Sequence, residues 1–323
     1  MAEPIRIFCL VDDPDRVPDM IRARHPQAEI TVCTDYDKTA AAVKQSDPEI
    51  AYTMVFARTE YPRAPILAAP NLRWIHVSGA GVNHLAPWDP EKVSVSNVGG
   101  IQDEGMAQFA HARLIAMATN FFTYHDQQKQ HRWEHHDCAR SHGGVLTVVG
   151  LGQIGRACAR LGKAMGMTVN GVRARPAPCE GVDRVVGPAD MHEVLATSDW
   201  VIIVTPLTRE TENLFDGAAF AALKPGAFLV NMARGKVMDE NAMVEALRSG
   251  RLAGASIDVF AEEPLPADSP LWDEPGLHIT PHSAGFITFE DYDTRGTELF
   301  LDNMDRYLKG EALINVTDPV RGY

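Results

Sequence analysis

The glycine-rich turn at residues 150–155 limits the possible folds of this chain more than any other segment. It directly follows the apolar run Val145–Val149. In a turn of this spacing the first glycine permits a tight bend, the second lets a phosphate approach the backbone, and the third lets the next helix pack closely on the strand. The context predicts a dinucleotide-binding α/β fold, and a glycine turn without a ligand is the alternative. The candidate cofactor contacts in the turn are Gly150, Gly152, Gln153, Ile154 and Gly155.

The end of the strand after this turn indicates which dinucleotide is bound. An NAD site usually has Asp or Glu about 20 residues after the turn, where its carboxylate binds the ribose 2′-hydroxyl. At that place this chain carries Arg173 and Arg175 instead. Guanidinium groups suit a 2′-phosphate through their charge and paired hydrogen bonds. We therefore expect NADP(H) to be preferred, with NAD(H) possible; solvated surface arginines are the alternative.

Strand-like and helix-like segments alternate along the chain in two series, which is typical of parallel sheets covered by helices. The first series ends near residue 98, the second begins at Val145, and a long helical stretch follows at residues 289–308. The pattern predicts an α/β protein with two Rossmann-like doubly wound parallel-sheet domains, one inserted into the other, and a cleft between them. We expect a flavodoxin-like substrate-binding domain at residues 1–100 plus 287–323 and an NADP-binding Rossmann domain at residues 101–286. One long helix is expected at about residues 103–129.

Composition excludes several classes of partner. The 323 residues include 30 Lys plus Arg against 43 Asp plus Glu, which gives a net charge of −13. This balance argues against binding to nucleic acid or to an anionic membrane surface, because both need clustered positive charge. The five cysteines are odd in number and show no CxxC spacing, and no signal peptide or long apolar run is evident. These features predict a cytoplasmic protein with reduced thiols.

Three ionisable residues follow predicted strands of the second series and are the candidate catalytic groups. They are Arg234, Glu263 and His282. The carboxyl ends of strands in an open α/β sheet border the ligand crevice, so we expect these side chains to lie at one edge. Arginine can bind a carboxylate and polarise a carbonyl, histidine can transfer a proton near neutral pH, and a carboxylate can orient histidine and favour its protonated form.

Several motifs together give the sequence a familiar pattern. Besides the glycine turn they are Val204-Thr205-Pro206-Leu207-Thr208, Asn231-Met232-Ala233-Arg234-Gly235, Asp258 with Glu263-Pro264, and Thr280-Pro281-His282. In these the chain resembles the D-isomer-specific 2-hydroxyacid dehydrogenases, and within them the glyoxylate/hydroxypyruvate reductase A group. The ending at residues 321–323 is also similar to that group. The first third matches more loosely, chiefly at residues 78–82, and residues 56–58, which face the substrate in relatives, match poorly.

The resemblance implies a reaction and a set of roles. NADPH would reduce a small 2-keto acid to the D-2-hydroxy acid by hydride transfer, with His282 as proton donor, Glu263 keeping His282 protonated, and Arg234 binding the carboxylate and the carbonyl oxygen. Substrate contacts would be Arg234, His282 and the backbone of Ser78, Gly79, Ala80 and Gly81. Met232, Ala233 and Asp258 would line the nicotinamide, and Thr205 and Pro206 the adenosine side. Family members are usually homodimers, with the helix near residues 103–129 at the interface.

Two other functions stay open. One is an NAD(H)-linked D-2-hydroxyacid dehydrogenase for a bulkier 2-keto acid, and the other is a non-enzymatic binder that senses a dinucleotide. The histidine-rich segment at residues 131–142 has a spacing that fits no standard zinc pattern, so we expect no metal. Trp133 within it is expected to pack at the domain cleft or to reach a partner subunit.

Overall fold

The chain divides into two compact units in the computed structural model, which describes residues 4–55, 59–82, 84–285 and 289–319. One unit comprises Met1–Ile101 with Ile287–Tyr323, and the other comprises Gln102–Phe286. The poorly matching residues 56–58 and the family-like ending at residues 321–323 lie outside the described residues. Each unit is built on a parallel sheet, so the predicted class of two parallel α/β domains is confirmed.

Twelve strands and ten α-helices make up the described part of the chain. The strands are β1 Arg6–Leu10, β2 Glu29–Cys33, β3 Ile50–Thr53, β4 Trp74–Val77, β5 Ser94–Asn97, β6 Val145–Val149, β7 Thr168–Val172, β8 Arg184–Val186, β9 Trp200–Ile203, β10 Ala227–Asn231, β11 Leu252–Ile257 and β12 Leu277–Ile279. The helices are α1 Arg16–Arg24, α2 Thr39–Ser46, α3 Arg63–Leu67, α4 Asp103–Ala118, α5 Phe121–Lys129, α6 Gln153–Ala164, α7 Met191–Leu195, α8 Gly217–Ala222, α9 Glu240–Arg248 and α10 Phe289–Leu308. None of these helices combines the length and the apolar character that a bilayer crossing requires.

The first unit has a five-stranded sheet in the order β2-β1-β3-β4-β5, with every neighbouring pair parallel. Ile7 in β1 is paired with Ile30 on one side and Ile50 on the other. Apolar clusters lie on both faces, one of them completed by Phe300 and Met304 of α10. Strands buried on both faces read as continuous apolar runs, which explains why they can be recognised in the sequence.

The second unit has a seven-stranded parallel sheet in the order β12-β11-β10-β9-β6-β7-β8. The chain moves outward from β6 to β8 and then returns to β9 on the other side of β6. Such a reversal opens a crevice at the carboxyl ends of the two strands. Val149 at the end of β6 is paired with Ile203 of β9, so the glycine turn and the segment after β9 start side by side.

The long helix expected at residues 103–129 is two helices, so that prediction is wrong. α4 ends at Ala118 and α5 begins at Phe121. Between them Asn120 has a left-handed backbone with φ of 55°. Asparagine tolerates this conformation better than most residues, and one left-handed residue ends a helix.

Candidate active site

The glycine turn joins β6 to α6 in a conformation that requires two of its glycines. Gly150 has φ of 103°, and a Cβ atom there would lie 2.8 Å from the backbone nitrogen of Thr205. A Cβ atom on Gly155 would lie 1.8 Å from the carbonyl oxygen of Gly150. Side chains at these positions would therefore separate α6 from β6 and from the segment that follows β9.

Gly152 has a different environment, because a Cβ atom there would meet nothing within 4 Å. It precedes the first turn of α6 and offers no side chain to cap the helix, so the N–H groups of that turn stay available to an anion. Gln153 is exposed and Ile154 is half-buried at the same helix end. An open cradle of backbone N–H groups suits the pyrophosphate of a dinucleotide, so these residues fit such a cofactor.

Arg173 and Arg175 follow the carboxyl end of β7. Arg173 is half-buried and Arg175 is exposed. Neither guanidinium makes an ion pair with any residue in the described part of the chain, whereas Arg184 nearby pairs with Glu193. Thr205 and Pro206 follow β9, where Thr205 packs against Gly150 and the Pro206 carbonyl accepts a hydrogen bond from the Thr211 hydroxyl at 2.6 Å.

Glu263 and His282 form a close pair beyond the ends of β11 and β12. The Nδ1 atom of His282 lies 2.7 Å from Oε2 of Glu263. The other carboxylate oxygen of Glu263 accepts a hydrogen bond from the Phe260 N–H at 2.8 Å, which fixes the plane of the carboxylate. His282 has a left-handed backbone with φ of 51°, and its N–H donates to the Asp258 carbonyl at 2.9 Å. Because Nδ1 faces the carboxylate, Nε2 is the ring nitrogen left for a substrate.

Arg234 follows β10, three residues beyond its last residue, Asn231. Its guanidinium donates a hydrogen bond to the Ala233 carbonyl at 2.6 Å. Burial lowers the pKa of Arg234, and the negative charge of Glu263 opposes that effect. The structure therefore brings all three candidate catalytic residues to one edge of the second sheet.

Asp258 is buried and fully occupied by hydrogen bonds to the segment that carries His282. Its Oδ1 atom accepts from the Thr280 hydroxyl at 2.6 Å and from the Ser283 N–H at 2.9 Å, and its Oδ2 atom accepts from the Ala284 N–H at 2.9 Å. The family resemblance implied a contact with the nicotinamide for this residue. It did not reveal these three hydrogen bonds, by which Asp258 clamps the segment at residues 280–284. Met232 and Ala233, expected at the same place, are 4 % and 6 % exposed.

The expected substrate contacts Ser78, Gly79, Ala80 and Gly81 lie in the first unit, in the loop directly after β4. The Ser78 N–H donates to the Thr53 carbonyl at 2.9 Å. Two side chains that sequence reasoning missed also hold this loop. The Tyr292 hydroxyl donates to the Ser78 carbonyl at 2.6 Å, and the Asn97 amide donates to the Ala80 carbonyl at 2.7 Å.

The histidine-rich segment 131–142 has no regular secondary structure, and Trp133 within it is 94 % exposed. Among the residues that the structure describes, no three His, Cys, Asp or Glu side chains are grouped so that they could hold a metal ion.

Comparison with known proteins decides the family. Residues 111–284 match the NAD-binding domain of the D-isomer specific 2-hydroxyacid dehydrogenases. The chain belongs to this family. The resemblance seen in the motifs is thus confirmed, and membership supports an oxidoreductase that binds a nicotinamide dinucleotide and acts on small hydroxyacids.

Relatives within the D-isomer specific 2-hydroxyacid dehydrogenases include two named reductases. The glyoxylate reductase of Korarchaeum cryptofilum is 31 % identical over 263 residues, which are 78 % of this chain and 77 % of the relative. The glyoxylate/hydroxypyruvate reductase A of Photorhabdus laumondii is 30 % identical over 280 residues, which are 84 % of this chain and 87 % of the relative.

Solved structures of the family agree with the fold over nearly the whole chain. A D-isomer specific 2-hydroxyacid dehydrogenase from Xanthobacter autotrophicus in complex with NADPH and MES superposes with a TM-score of 0.85 at 29 % identity, covering 99 % of this chain and 100 % of the other. The NADPH-dependent glyoxylate/hydroxypyruvate reductase of Sinorhizobium meliloti in complex with NADP and sulfate superposes with a TM-score of 0.82 at 26 % identity, covering 99 % of this chain and 100 % of the other.

Proposed function

We propose that this chain reduces a small 2-keto acid of the glyoxylate or hydroxypyruvate type to the D-2-hydroxy acid, with NADPH as reductant. The observation that carries the proposal is the 2.7 Å contact between Nδ1 of His282 and Oε2 of Glu263. Arg234 is close enough to interact electrostatically with the same carboxylate. A proton donor and a carboxylate-binding cation at one sheet edge are what the reduction of a keto acid needs.

His282 is the proton donor in this proposal. NADPH supplies a hydride to the carbonyl carbon when it is bound. The protonated imidazole uses Nδ1–H to bond Glu263, so its Nε2–H is the proton that passes to the carbonyl oxygen. Glu263 stabilises the imidazolium through charge and holds the ring in one orientation, because its own second oxygen is fixed by the Phe260 N–H.

Arg234 binds the substrate carboxylate and the carbonyl oxygen. Its burial strengthens the interaction with an anion because less water competes. We also assign the N–H groups of the loop at residues 78–81, in the first unit, to the binding of a substrate carboxylate. Met232, Ala233 and Asp258 would border the nicotinamide of a bound dinucleotide, and Thr205 with Pro206 would border its adenosine side.

The preference for NADPH rests on Arg173 and Arg175. Both lie beyond β7, where the ribose of a dinucleotide on the glycine turn is recognised, and neither has an ion-pair partner among the described residues. The named Sinorhizobium relative is NADPH-dependent, which supports the same choice.

One assay tests the reaction and the cofactor together. Purified protein is given a panel of 2-keto acids with NADPH or NADH, and the loss of reduced cofactor is followed by absorbance. We expect turnover of the smallest keto acids, a lower KM for NADPH than for NADH, and a D-configured product by chiral chromatography. Turnover only of bulky acids with NADH, or dinucleotide binding without turnover, would contradict the proposal.

We also propose that the protein is a homodimer whose interface includes α4, α5 and the segment 131–142. Ile115, Phe121 and Trp133 in this part of the second unit are 39 %, 59 % and 94 % exposed. Large apolar side chains exposed to this degree favour burial against a second copy. Sedimentation velocity of the protein and of Trp133→Ser tests this: we expect a dimer that the substitution weakens, and a wild-type monomer at micromolar concentration would overturn it.

A further inference from the structure

The loop at residues 78–81 is tied down through its carbonyl groups. The hydroxyl of Tyr292, on α10, donates to the Ser78 oxygen, and the amide of Asn97, at the end of β5, donates to the Ala80 oxygen. Both bonds lie within the first unit. Alternate carbonyls of one short loop are thus held by side chains from two other elements.

A held carbonyl also fixes the N–H group of the next residue. The peptide unit is planar and trans, so its C=O and N–H point in opposite directions. The bond from Tyr292 to the Ser78 carbonyl therefore turns the Gly79 N–H away from α10, and the bond from Asn97 turns the Gly81 N–H away from β5. No residue in the described part of the chain accepts a hydrogen bond from either N–H.

The space beside Gly79 is open. A Cβ atom there would meet nothing within 4 Å, and the φ of Gly79 lies outside the left-handed region, so the backbone conformation does not require glycine. A glycine that neither packing nor backbone angle requires leaves room for a ligand to approach the backbone.

We propose that Tyr292 and Asn97 are positioning residues, which aim the Gly79 and Gly81 N–H groups at the carboxylate of the substrate. The inference rests on the proposed function and explains how its carboxylate site is formed. Two side chains set the direction of the Gly79 and Gly81 N–H groups before the substrate binds.

The protonation of Tyr292 and the orientation of the Asn97 amide both suit this role. Burial and the neighbouring charge of Asp293 raise the pKa of Tyr292 to about 12, so the phenol is protonated and can donate at neutral pH. The Oδ1 atom of Asn97 accepts a hydrogen bond from the Gly99 N–H at 2.9 Å, which directs its NH₂ group to Ala80.

The test compares two tyrosine variants on the same helix. Tyr292→Phe removes only the hydroxyl that bonds Ser78, and the control Tyr307→Phe removes a hydroxyl on α10 that bonds Glu49 at 2.6 Å. Loss of one oriented donor in Tyr292→Phe should raise the KM for the keto acid about 3- to 10-fold. We expect kcat and the KM for NADPH to change less than about twofold. Tyr307→Phe should leave all three constants unchanged.

Asn97→Asp gives an independent variant, because it keeps the acceptor for Gly99 and replaces the donor to Ala80 with an oxygen. It should raise the same KM. Calorimetry with oxamate, a keto acid analogue that is not reduced, measures carboxylate binding without turnover. Equal oxamate affinity in wild type and both variants would overturn the inference, even if the protein reduces keto acids. If wild type reduces no keto acid but both variants bind oxamate more weakly than wild type, the inference is supported and only the proposed reaction is contradicted.

Discussion

His282 is held on both sides of its peptide and at its ring. Its N–H donates a hydrogen bond to the Asp258 carbonyl, and its ring Nδ1 contacts Glu263. The Asp258 carboxylate accepts hydrogen bonds from the Thr280 hydroxyl and from the Ser283 and Ala284 N–H groups, which fixes the segment around His282. A side chain positioned in this way loses little entropy when a substrate binds. In the proposed reaction, His282 is therefore already in position before the substrate arrives.

Replacement of His282 tests the proton-donor role directly. We expect His282→Ala to lower kcat by roughly 10²–10⁴, which is the usual contribution of a positioned general acid. Steady-state kinetics with NADPH and the best keto acid measures the change, and His192→Ala, at an exposed histidine of α7, serves as control. Turnover within a factor of two of wild type would exclude His282 as the donor.

Glu263 is adjacent to a second glutamate that provides a matched control. Glu263→Gln keeps an acceptor for the Phe260 N–H and removes the negative charge beside Nδ1 of His282. Without that charge the imidazolium is less stable, so we expect kcat to fall about 10-fold. Glu262→Gln, at an exposed carboxylate, should keep full activity. Equal activity of the two variants would show that the charge of Glu263 is not used.

Local motifs predicted only part of this arrangement. Arg234, Glu263 and His282 follow strands that are apolar enough to be read in the sequence, so their common edge was expected. Tyr292 lies 214 residues from Ser78, and nothing in the spacing links them. The clamp by Asp258 was equally hidden, because it depends on backbone N–H groups, which every sequence contains.

The glycine turn lets packing and cofactor binding be separated. Gly152→Ala adds a methyl group where no protein atom lies within 4 Å, so we expect unchanged thermal stability and weaker NADPH binding, because the methyl occupies the approach of the pyrophosphate. Gly155→Ala places the methyl against the Gly150 carbonyl and should lower the melting temperature. Calorimetric melting and NADPH titration measure both. An unchanged NADPH affinity in Gly152→Ala would argue against the turn as the pyrophosphate site.

Elements with a strong apolar pattern are predictable from the sequence, whereas two of the shortest elements and one interruption of a helix are not. β6 and β10 are buried almost throughout and were recognised as strands. β8 has three residues and α3 has five, which is too short for a periodic signal. The interruption at Asn120 was missed because apolar residues continue on both sides of it.

The net charge of −13 describes the outer surface and not the site. The ligands proposed here, a keto acid and a phosphorylated dinucleotide, are anions, and their binding depends on Arg234, Arg173 and Arg175 at the strand ends of one sheet. A few cations close to the ligand outweigh distant surface charge, since salt screens charges beyond about 8–10 Å. The negative net charge therefore says nothing against the binding of small anions at these arginines.

Buried histidines in both units make the stability of the whole chain depend on pH. Burial lowers the pKa of His76 to about 3 and that of His84 to about 4 in the first unit, and it lowers the pKa of His111 and His278 in the second. In the unfolded chain a histidine titrates near pH 6.5. Below that pH these histidines bind protons in the unfolded state but stay neutral in the folded state. The free energy of unfolding is therefore highest above about pH 6.5 and falls as the pH decreases toward 4.

His76 allows this prediction to be tested at one position, because it is fully buried beside Ser96. Unfolding by urea at about pH 7 and about pH 5 gives the stability lost between them, and His76 should account for roughly 2 kcal/mol of that loss. His76→Gln cannot take up this proton, so its loss should be smaller by that amount, even if the variant is less stable at both pH values. His192→Gln, at an exposed histidine, should lose as much as wild type. An equal loss in His76→Gln and wild type would show that His76 does not control the acid sensitivity of the fold.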